Sequence, residues 1–297
     1  MEASAEFVER TTCIQCGSPR LLELSSGLFS EGAVARFIDE DPWGEHPAPF
    51  LRGKRWSYVR CAQCAQAFHR FILAPEWNER RFSRWMTQEA IEAFENSMNT
   101  PERRFETTVA NAAHVVRIEE MTREVRLGAG VRLLDFGCGY GHFLSMCALF
   151  GFDATGVDRS AAKREHGTFP IFASLDEVSG PFHAVTLFEV LEHVDEPRPL
   201  LQRLASLLVP GGVLVLETPN CEGITGIETR EDYLKIHPLE HINGFTPATL
   251  QAFAERVGFL RVDRPAAYVT TSLARVARNV AKRVLRRDQT QQYFIKK

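Results

Sequence analysis

The feature that most constrains the fold of this chain is a glycine-rich turn within the segment LLDFGCGYGHFL. An apolar run leads to Asp135, and Gly137, Gly139 and Gly141 then precede a second apolar segment. Glycine is needed where a chain turns tightly from strand to helix and where a ligand approaches the backbone closely. The segment therefore predicts a strand–turn–helix unit that binds a ligand over its turn.

A second acidic residue gives this interpretation more weight. Asp158 ends the next apolar run, in GVDRS, and follows Gly139 by 19 residues. That spacing is typical of a βαβ unit in which a carboxylate accepts hydrogen bonds from both hydroxyls of a ribose. The structural alternative is an ordinary strand–loop–helix connection whose acidic residues face solvent.

Strand-like and helix-like segments alternate from residue 131 onward. The strand-like runs are VRLLDF, DATGVD, PIFA, HAVTLFEV, GVLVLETP and LRVDR. The helix-like segments between or after them are GHFLSMCALFG, PRPLLQRLASLLVPGG and FTPATLQAFAERVGF. Alternation at these intervals predicts an α/β fold with a parallel, doubly wound sheet and helices on both faces.

Four segments in this order, LLDFGCGYGHFL, GVDRS, FEVLEHVDEP and LVPGGVLVLETPN, resemble the successive motifs of class I S-adenosylmethionine-dependent methyltransferases. The resemblance implies a Rossmann-like, doubly wound and mostly parallel seven-stranded sheet, with S-adenosylmethionine as the cofactor. A dinucleotide-dependent dehydrogenase is the competing interpretation on this fold. The turn is GxGxG rather than GxGxxG, and LEHV and PGG belong to the methyltransferase pattern, which favours the methyltransferase.

The resemblance also implies which residues contact the cofactor, carried over position by position. They fall at the ends of successive strands, where ligands bind on open α/β sheets. Asp135 and the turn Gly137, Cys138, Gly139, Tyr140 and Gly141 would hold the methionine end, Asp158 the ribose, Arg159, Ser174 and Leu175 the adenine, and Phe188 and Glu189 the sulfonium side.

Candidate catalytic residues follow the fourth strand and precede the last helix. Methyl transfer to oxygen or carbon usually requires removal of a proton from the acceptor, and a histidine near neutral pKa suits that step. His241 is the first candidate base, with Glu240 orienting it, because HPLEHINGFT resembles the EH-containing loop of sugar C- and O-methyltransferases. His193 is the second candidate. The alternative for both histidines is structural, as a helix cap for His193 and a backbone-bonded loop residue for His241.

Four of the seven cysteines form two CxxC pairs, Cys13 with Cys16 and Cys61 with Cys64. Thiolates at this spacing can reach one tetrahedral Zn²⁺ at ~2.3 Å, and four protein ligands make such a site structural. The 44 residues between the pairs exceed the usual spacing of a zinc ribbon, and redox-active or idle pairs are the alternative. A cysteine-paired module ahead of a methyltransferase domain resembles bacterial nucleotide-sugar methyltransferases.

Thr100 is expected to cap a helix that begins at Pro101, within the linker region. Together the signals divide the chain into four predicted regions. The regions are a zinc-ribbon-like, cysteine-paired module at 1–74, a helical linker or cap at 75–127, the S-adenosylmethionine-binding methyltransferase domain at 128–271, and a basic amphipathic helix and tail at 272–297.

The C-terminal segment SLARVARNVAKRVLRR carries an apolar stripe and six basic residues. Such a helix packs on its own domain or lies on an anionic membrane. The net charge of −3 argues against nucleic acid as a partner, and no signal peptide or run of ~18 apolar residues is visible. We expect a cytoplasmic protein with peripheral contact at the inner face of the membrane; the sequence leaves its oligomeric state open.

The sequence thus predicts an enzyme that methylates a hydroxyl or carbon of a saccharide or glycan-linked envelope metabolite. One alternative is a small-molecule O-methyltransferase of the quinone or polyketide type, for which the Phe-rich region 50–105 would supply apolar walls. Another is a protein that binds the cofactor without turnover and docks a partner through its cysteine module.

Overall fold

The structure is a computed structural model that describes residues 4–98, 100–126, 130–167, 169–269, 272–274, 276–277, 281 and 291–297. The chain divides into two compact units. Unit 1 comprises Met1–Met98, Leu191–Arg198 and Pro219–Leu250, and unit 2 comprises Asn99–Val190, Pro199–Thr218 and Gln251–Lys297. The segments 191–198 and 219–250, which the sequence analysis assigns to the methyltransferase domain, therefore belong with the cysteine-containing N-terminal region.

The elements are numbered in chain order. The first are β1 (Phe7–Glu9), β2 (Leu21–Leu28), α1 (Gly32–Glu40), β3 (Arg55–Cys61), β4 (Ala67–His69), β5 (Phe71–Leu73), α2 (Pro75–Arg80) and α3 (Gln88–Met98). A 3-10 helix spans Ala48–Leu51 and a π-helical turn spans Arg81–Trp85.

The elements after residue 100 alternate between strand and helix as the sequence predicts. They are α4 (Pro101–Met121), β6 (Arg132–Phe136), α5 (His142–Leu149), β7 (Asp153–Val157), α6 (Ala161–Glu165), β8 (Ile171–Phe172), β9 (Phe182–Phe188), α7 (Pro197–Leu207), β10 (Leu208–Glu217), α8 (Arg230–Lys235), β11 (Asn243–Gly244), α9 (Pro247–Arg256), β12 (Phe259–Val262) and β13 (Gln291–Lys296). Short 3-10 helices span Leu175–Glu177 and Leu191–His193. The predicted cap of α4 is confirmed, since the Thr100 side chain accepts a hydrogen bond from the Arg103 N–H at 3.2 Å.

Unit 1 is built around a four-stranded antiparallel sheet in the order β11-β4-β3-β2, with β1 and β5 paired separately. Its core is rich in aromatic side chains, including Trp56, Tyr58 and Trp85, all buried. Each buried aromatic side chain removes a large apolar area from water. These residues lie in the Phe-rich region that the sequence analysis offers as pocket walls, and the structure uses them as core.

Unit 2 contains a seven-stranded sheet in the order β12-β13-β10-β9-β6-β7-β8. The strands from β10 to β8 are parallel, and β13 is antiparallel to both of its neighbours. Nearly continuous apolar runs are typical of parallel strands that are covered on both faces. In β10 such a run, formed by Val213, Leu214, Val215 and Leu216, is completely buried. The predicted Rossmann-like, mostly parallel seven-stranded sheet is therefore confirmed.

The seventh strand lies where the sequence analysis expects the end of a basic tail. Gln291–Lys296 pairs with both β10 and β12, and Tyr293 and Phe294 are buried there. The assignment of the whole segment 272–297 to a helix and tail is thus wrong at its end, because the apolar side chains of QQYFIK are buried in the sheet. The six basic positions of the predicted amphipathic helix, Arg275, Arg278, Lys282, Arg283, Arg286 and Arg287, lie outside the described residues. Among the described helices, none combines the length and apolar character that crossing a bilayer requires.

Candidate functional site

The predicted ligand-binding turn joins β6 to α5. Gly137 and Gly139 have φ values of +78° and +57°, in the left-handed region that side chains other than glycine rarely adopt. A Cβ at Gly137 would lie 2.4 Å from Val190 Cγ2, so a larger residue does not fit there. At Gly139 nothing lies within 4 Å of the position of a Cβ, which leaves the backbone open to an approaching ligand.

The carboxylate of Asp158 lies beside this turn, as the spacing predicts. Its Oδ2 accepts a hydrogen bond from Gly139 N–H at 2.9 Å, and its Oδ1 accepts one from Ser160 N–H at 2.8 Å. An ionised carboxylate has about four acceptor positions. Asp158 therefore fixes the turn against the end of β7 and retains acceptor capacity for the two hydroxyls of a ribose.

Asp135 is buried at the end of β6, with 3% of its surface exposed. Its Oδ1 accepts a hydrogen bond from Thr186 Oγ1 at 2.6 Å. Burial raises the pKa of Asp135 to about 7; the hydroxyl of Thr186 opposes this shift and the charge of Asp158 adds to it. Asp135 is thus poised to change its protonation state near neutral pH.

The raised pKa predicts a pH-dependent stability that the variant Asp135→Asn lacks. A carboxyl whose pKa rises on folding stabilises the fold while it is protonated, and this contribution is lost as pH increases from about 4 to about 7. The loss is on the order of 2 to 4 kcal/mol for a shift of this size. In thermal unfolding of the ligand-free protein, we expect the melting temperature of wild type relative to Asp135→Asn to fall by on the order of 5 °C across this interval. A constant difference between the two proteins would contradict the assignment.

The residues predicted beside the adenine lie near the C-terminal ends of β7 and β8. Arg159 is exposed, directly after Asp158. Ser174 caps the short helix Leu175–Glu177: its hydroxyl accepts from Asp176 N–H at 3.2 Å, and the Glu177 carboxylate accepts from Ser174 N–H. The hydroxyl of Ser174 therefore has a local structural partner, and its contact with adenine stays a prediction, as does that of Leu175.

The residues predicted at the sulfonium side end β9. The ring of Phe188 packs against His114 at 4.7 Å and against Phe143 at 5.1 Å between centroids. Glu189 is exposed and has a φ of +55°, which is uncommon for a residue other than glycine, and its N–H donates to Glu217 O at 2.9 Å. Strained backbone of this kind clusters at ligand sites. This observation favours the predicted position of Glu189 at the cofactor site.

Sequence reasoning missed Thr186 and His114. His114 is buried in α4; its Nδ1 lies 2.7 Å from Tyr293 Oη, and its Nε2 lies 3.8 Å from a Glu217 oxygen. Burial lowers the pKa of His114 to about 3, so its imidazole is neutral. No local signal identifies either residue, because their partners lie 51 and 179 positions away in the sequence.

The three candidate catalytic residues lie in unit 1, whereas the predicted cofactor residues lie in unit 2. The rings of His193 and His241 are in edge contact, 4.6 Å between centroids, and His193 Nδ1 lies 3.0 Å from the backbone oxygen of Glu240. Burial lowers the pKa of His241 to about 4, and the charge of Glu240 opposes the shift. The structure thus brings the three residues together, and their catalytic roles stay a prediction.

The four paired cysteines converge in unit 1. Cys13 Sγ lies 3.5 Å from Cys64 Sγ, Cys16 Sγ lies 3.6 Å from Cys61 Sγ, and all four sulfurs are within 4.8 Å of one another. A disulfide would require about 2.05 Å, whereas tetrahedral bonds of ~2.3 Å to zinc place sulfurs about 3.8 Å apart. Backbone N–H groups of Gln15 and Gln63 donate to the first sulfur of each pair, at 3.4 and 3.3 Å. The cluster therefore fits a structural zinc ion.

Comparison with known proteins identifies one matching family and several similar proteins. The sequence profile of a family described as "Methyltransferase domain" matches residues 76–262. A ubiquinone biosynthesis O-methyltransferase from Caulobacter sp. is 41% identical over 105 residues, which cover 31% of this chain and 42% of the relative. Another from Psychrobacter arcticus is 31% identical over 166 residues, or 48% of this chain and 64% of the relative. The chain thus covers less than two thirds of the length of either relative.

Solved structures of methyltransferases are also similar. The plantazolicin methyltransferase BpumL in complex with SAH aligns with a TM-score of 0.48 and 15% identity, covering 74% of this chain and 93% of that one. An S-adenosylmethionine-dependent methyltransferase from Archaeoglobus fulgidus aligns with a TM-score of 0.39 and 21% identity, covering 67% and 100%. Because both TM-scores are below 0.5, the fold assignment rests on the strand order described above.

Proposed function

The chain belongs to the methyltransferase domain family and is an S-adenosylmethionine-dependent methyltransferase, and we propose that its acceptor is a hydroxyl group on a small quinone-type or related aromatic molecule. The observation that carries this proposal is that the similar curated proteins are named ubiquinone biosynthesis O-methyltransferases. The saccharide or glycan-linked acceptor expected from the sequence has less support than this alternative.

The glycine turn and its carboxylates fit the cofactor. The backbone at Gly139 is open to close approach, and the Asp158 carboxylate keeps acceptor positions for a ribose. When bound, S-adenosylmethionine supplies an electrophilic methyl group on a sulfonium. The chain's own part is to hold the nucleoside at Asp158 and the methionine end along the turn from Gly137 to Gly141, next to the buried Asp135.

We propose that the acceptor binds to unit 1 at the cluster of His193, Glu240 and His241. A general base works best when its pKa is near the working pH. With a pKa of about 4, His241 is a weak proton acceptor for a hydroxyl group. The nitrogen and oxygen atoms of this cluster are therefore better suited to accepting a hydrogen bond from the acceptor hydroxyl than to removing its proton unaided.

Formation of S-adenosylhomocysteine with a panel of acceptors tests the proposed function. We expect turnover with hydroxylated aromatic quinone precursors to exceed turnover with nucleotide sugars and free saccharides by at least about 10-fold, a difference of ~1.4 kcal/mol in transition-state binding. Preferred turnover of saccharides would support the glycan interpretation instead. Tight cofactor binding with no turnover on any acceptor would support a binding protein that docks a partner through its cysteine module.

We also propose that the basic segment after residue 271 contacts anionic membranes. Truncating the chain before this segment would also remove β13 from the sheet, so charge reversal is the sharper test. Each Lys or Arg near an anionic surface contributes about 1 kcal/mol, so Arg278→Glu with Lys282→Glu should reduce liposome flotation affinity by at least about 30-fold, because the reversed charges are also repelled. The matched control is Arg103→Glu with Arg104→Glu on the exposed start of α4, which changes the net charge equally. Equal flotation of both double variants would remove this proposal.

A further inference from the structure

Residues next to the four paired cysteines contact one distant segment of unit 1, residues 236–249. The side-chain amide of Gln15, inside the first CxxC pair, donates to Thr249 O at 3.5 Å. The side-chain amide of Gln66, just after the second pair, donates to Gly244 O at 2.8 Å. The same segment carries two of the three predicted catalytic residues. The cysteine module and the predicted acceptor site are therefore joined by hydrogen bonds.

Arg10 makes the charged contacts between these two parts of unit 1. Its guanidinium donates to His69 O at 2.9 and 2.5 Å, to Ile242 O at 2.7 Å and to Asn243 Oδ1 at 2.7 Å. Hydrogen bonds from a charged donor are roughly twice as strong as those between neutral groups. Arg10 thus holds the 236–249 segment against the end of β4.

The oxygens that accept from Arg10 are all neutral, so its charge is compensated by groups farther away. Burial lowers the pKa of Arg10 to about 9, and the charges of Asp195 and Cys13 oppose this shift. The guanidinium lies over the ring of Phe68, 4.9 Å from its centroid, and this ring packs in the small core that contains Cys13 and Cys61. The cation therefore lies beside the cysteine cluster.

Zinc would increase the negative charge that Arg10 faces. Cysteine binds the metal in its deprotonated form, so one Zn²⁺ and four thiolates carry a net charge of about −2, whereas four protonated thiols are neutral. A negative charge removed from water is costly unless a positive group compensates it. The charge of Arg10 therefore favours the loaded cluster over the empty one.

We propose that Arg10 is a positioning residue that links zinc binding at the cysteine cluster to the order of the 236–249 segment. The loaded cluster attracts the guanidinium, and the guanidinium holds Ile242 and Asn243. Such a linkage is reciprocal, so a change that loosens the segment must also weaken zinc binding. The linkage itself is independent of the proposed function, whereas its effect on acceptor binding rests on that function.

The competing explanation is that Asp195 alone compensates Arg10, and that the hydrogen bonds of Arg10 only stabilise the local fold. Zinc affinity would then depend neither on the charge at position 10 nor on the side chain of Asn243. The two explanations therefore differ in a direct measurement, namely the zinc affinity of the full chain.

This affinity is measured by competition with a chromophoric chelator. Arg10→Gln keeps a hydrogen-bond donor and removes the charge, and should weaken zinc binding at least about 10-fold, as is typical when a group around a metal site is lost. Arg10→Lys keeps the charge without the planar fork of donors and should lie between wild type and Arg10→Gln. The matched control Arg20→Gln removes an exposed positive charge four residues after Cys16 and should stay within about threefold of wild type, because an exposed charge is strongly screened.

Asn243→Ala tests the same linkage from its other end. This change removes an acceptor of Arg10 and leaves all four cysteines in place, yet it should weaken zinc binding at least about 5-fold, a coupling of ordinary size between linked sites. The matched control Asn220→Ala, at an exposed position of unit 1, should bind zinc like wild type. In zinc-loaded Arg10→Gln, the amides of Asn243 and Gly244 should exchange with solvent at least about 10-fold faster than in wild type.

Equal zinc affinity in wild type and Arg10→Gln would overturn the proposal, as would a wild-type chain that binds no zinc. If Arg10→Gln fails to fold, Asn243→Ala decides the matter, and wild-type zinc affinity in that variant would also overturn it. Where wild type methylates a hydroxylated aromatic, Asn243→Ala should raise the KM for this acceptor and leave the affinity for S-adenosylhomocysteine unchanged, because the predicted cofactor residues lie in unit 2. If zinc affinity changes as expected while no hydroxylated aromatic is methylated, the linkage stands and only the proposed function fails.

Discussion

Replacement of Asp158 by alanine is expected to weaken binding of S-adenosylhomocysteine at least 100-fold. The carboxylate lies beside the open backbone of Gly139, where the turn predicts a nucleoside ribose. Hydrogen bonds to a charged group contribute about 1.5 to 3 kcal/mol each, so losing two of them gives roughly a 10²- to 10⁴-fold effect. Calorimetric titration of purified protein measures this change directly.

The design must separate loss of a ligand contact from damage to the turn, because Asp158 also accepts from Gly139 and Ser160 N–H groups. Asp158→Asn retains one acceptor oxygen and should lie between wild type and alanine in affinity. Asp153→Ala removes an exposed carboxylate at the start of the same strand and should bind like wild type. Affinity of Asp158→Ala equal to that of wild type, with the same melting temperature, would show that the nucleoside binds elsewhere.

The sheet of unit 2 was predictable because its signals are local. Each parallel strand is an apolar run followed by a turn and a helix, so a βαβ unit can be identified within about 30 residues. The spacing alone placed Asp158 at the end of the strand that follows the turn, and the structure adds its hydrogen bond from Gly139 N–H. Local patterns also located the cap of α4 at Thr100.

Features that depend on distant partners were not predictable in the same way. The strand Gln291–Lys296 is short and follows a basic segment, and only its pairing with β10 and β12 makes it a strand. Strand preference depends strongly on burial against neighbours, which a single sequence does not show. The composition of unit 1 from three separate segments depends on similar contacts, such as that between Arg10 and Asn243, 233 positions apart.

The separation of the two cysteine pairs illustrates how such pairing overcomes sequence distance. Cys16 precedes β2, Cys61 ends β3, and helix α1 lies between these strands. The antiparallel register places Cys61 opposite Leu21, at the end of β2 nearest the first pair. The 44 residues between the pairs therefore form a strand–helix–strand unit whose two ends lie next to each other. For this reason the two pairs can form one four-cysteine cluster although their separation is too long for a zinc ribbon.

Replacement of Cys61 by alanine should therefore remove zinc and unfold the part of unit 1 around the cysteine cluster. Structural zinc sites supply about 10 to 16 kcal/mol of binding energy that is also folding energy, an amount comparable with the whole stability of a domain. Besides the four cysteines, the small core around them contains Val59 and Phe68 as buried residues and Ile14 and Leu21 as partly buried ones, so few apolar side chains stabilise this region without the metal. We expect less than about 0.2 zinc per chain by elemental analysis and rapid proteolysis within unit 1.

The matched control is Cys147→Ala, which removes a buried thiol from unit 2 and outside the cluster. This variant should lose only about 1 kcal/mol of stability and keep one zinc per chain, because a buried cysteine of this kind acts as a small apolar side chain. If wild-type protein contains no zinc, or if Cys61→Ala keeps its full zinc content and resists protease like wild type, the four thiols do not form a structural metal site. Unit 1 would then owe its stability to its aromatic core, in which Trp56, Tyr58 and Trp85 are buried.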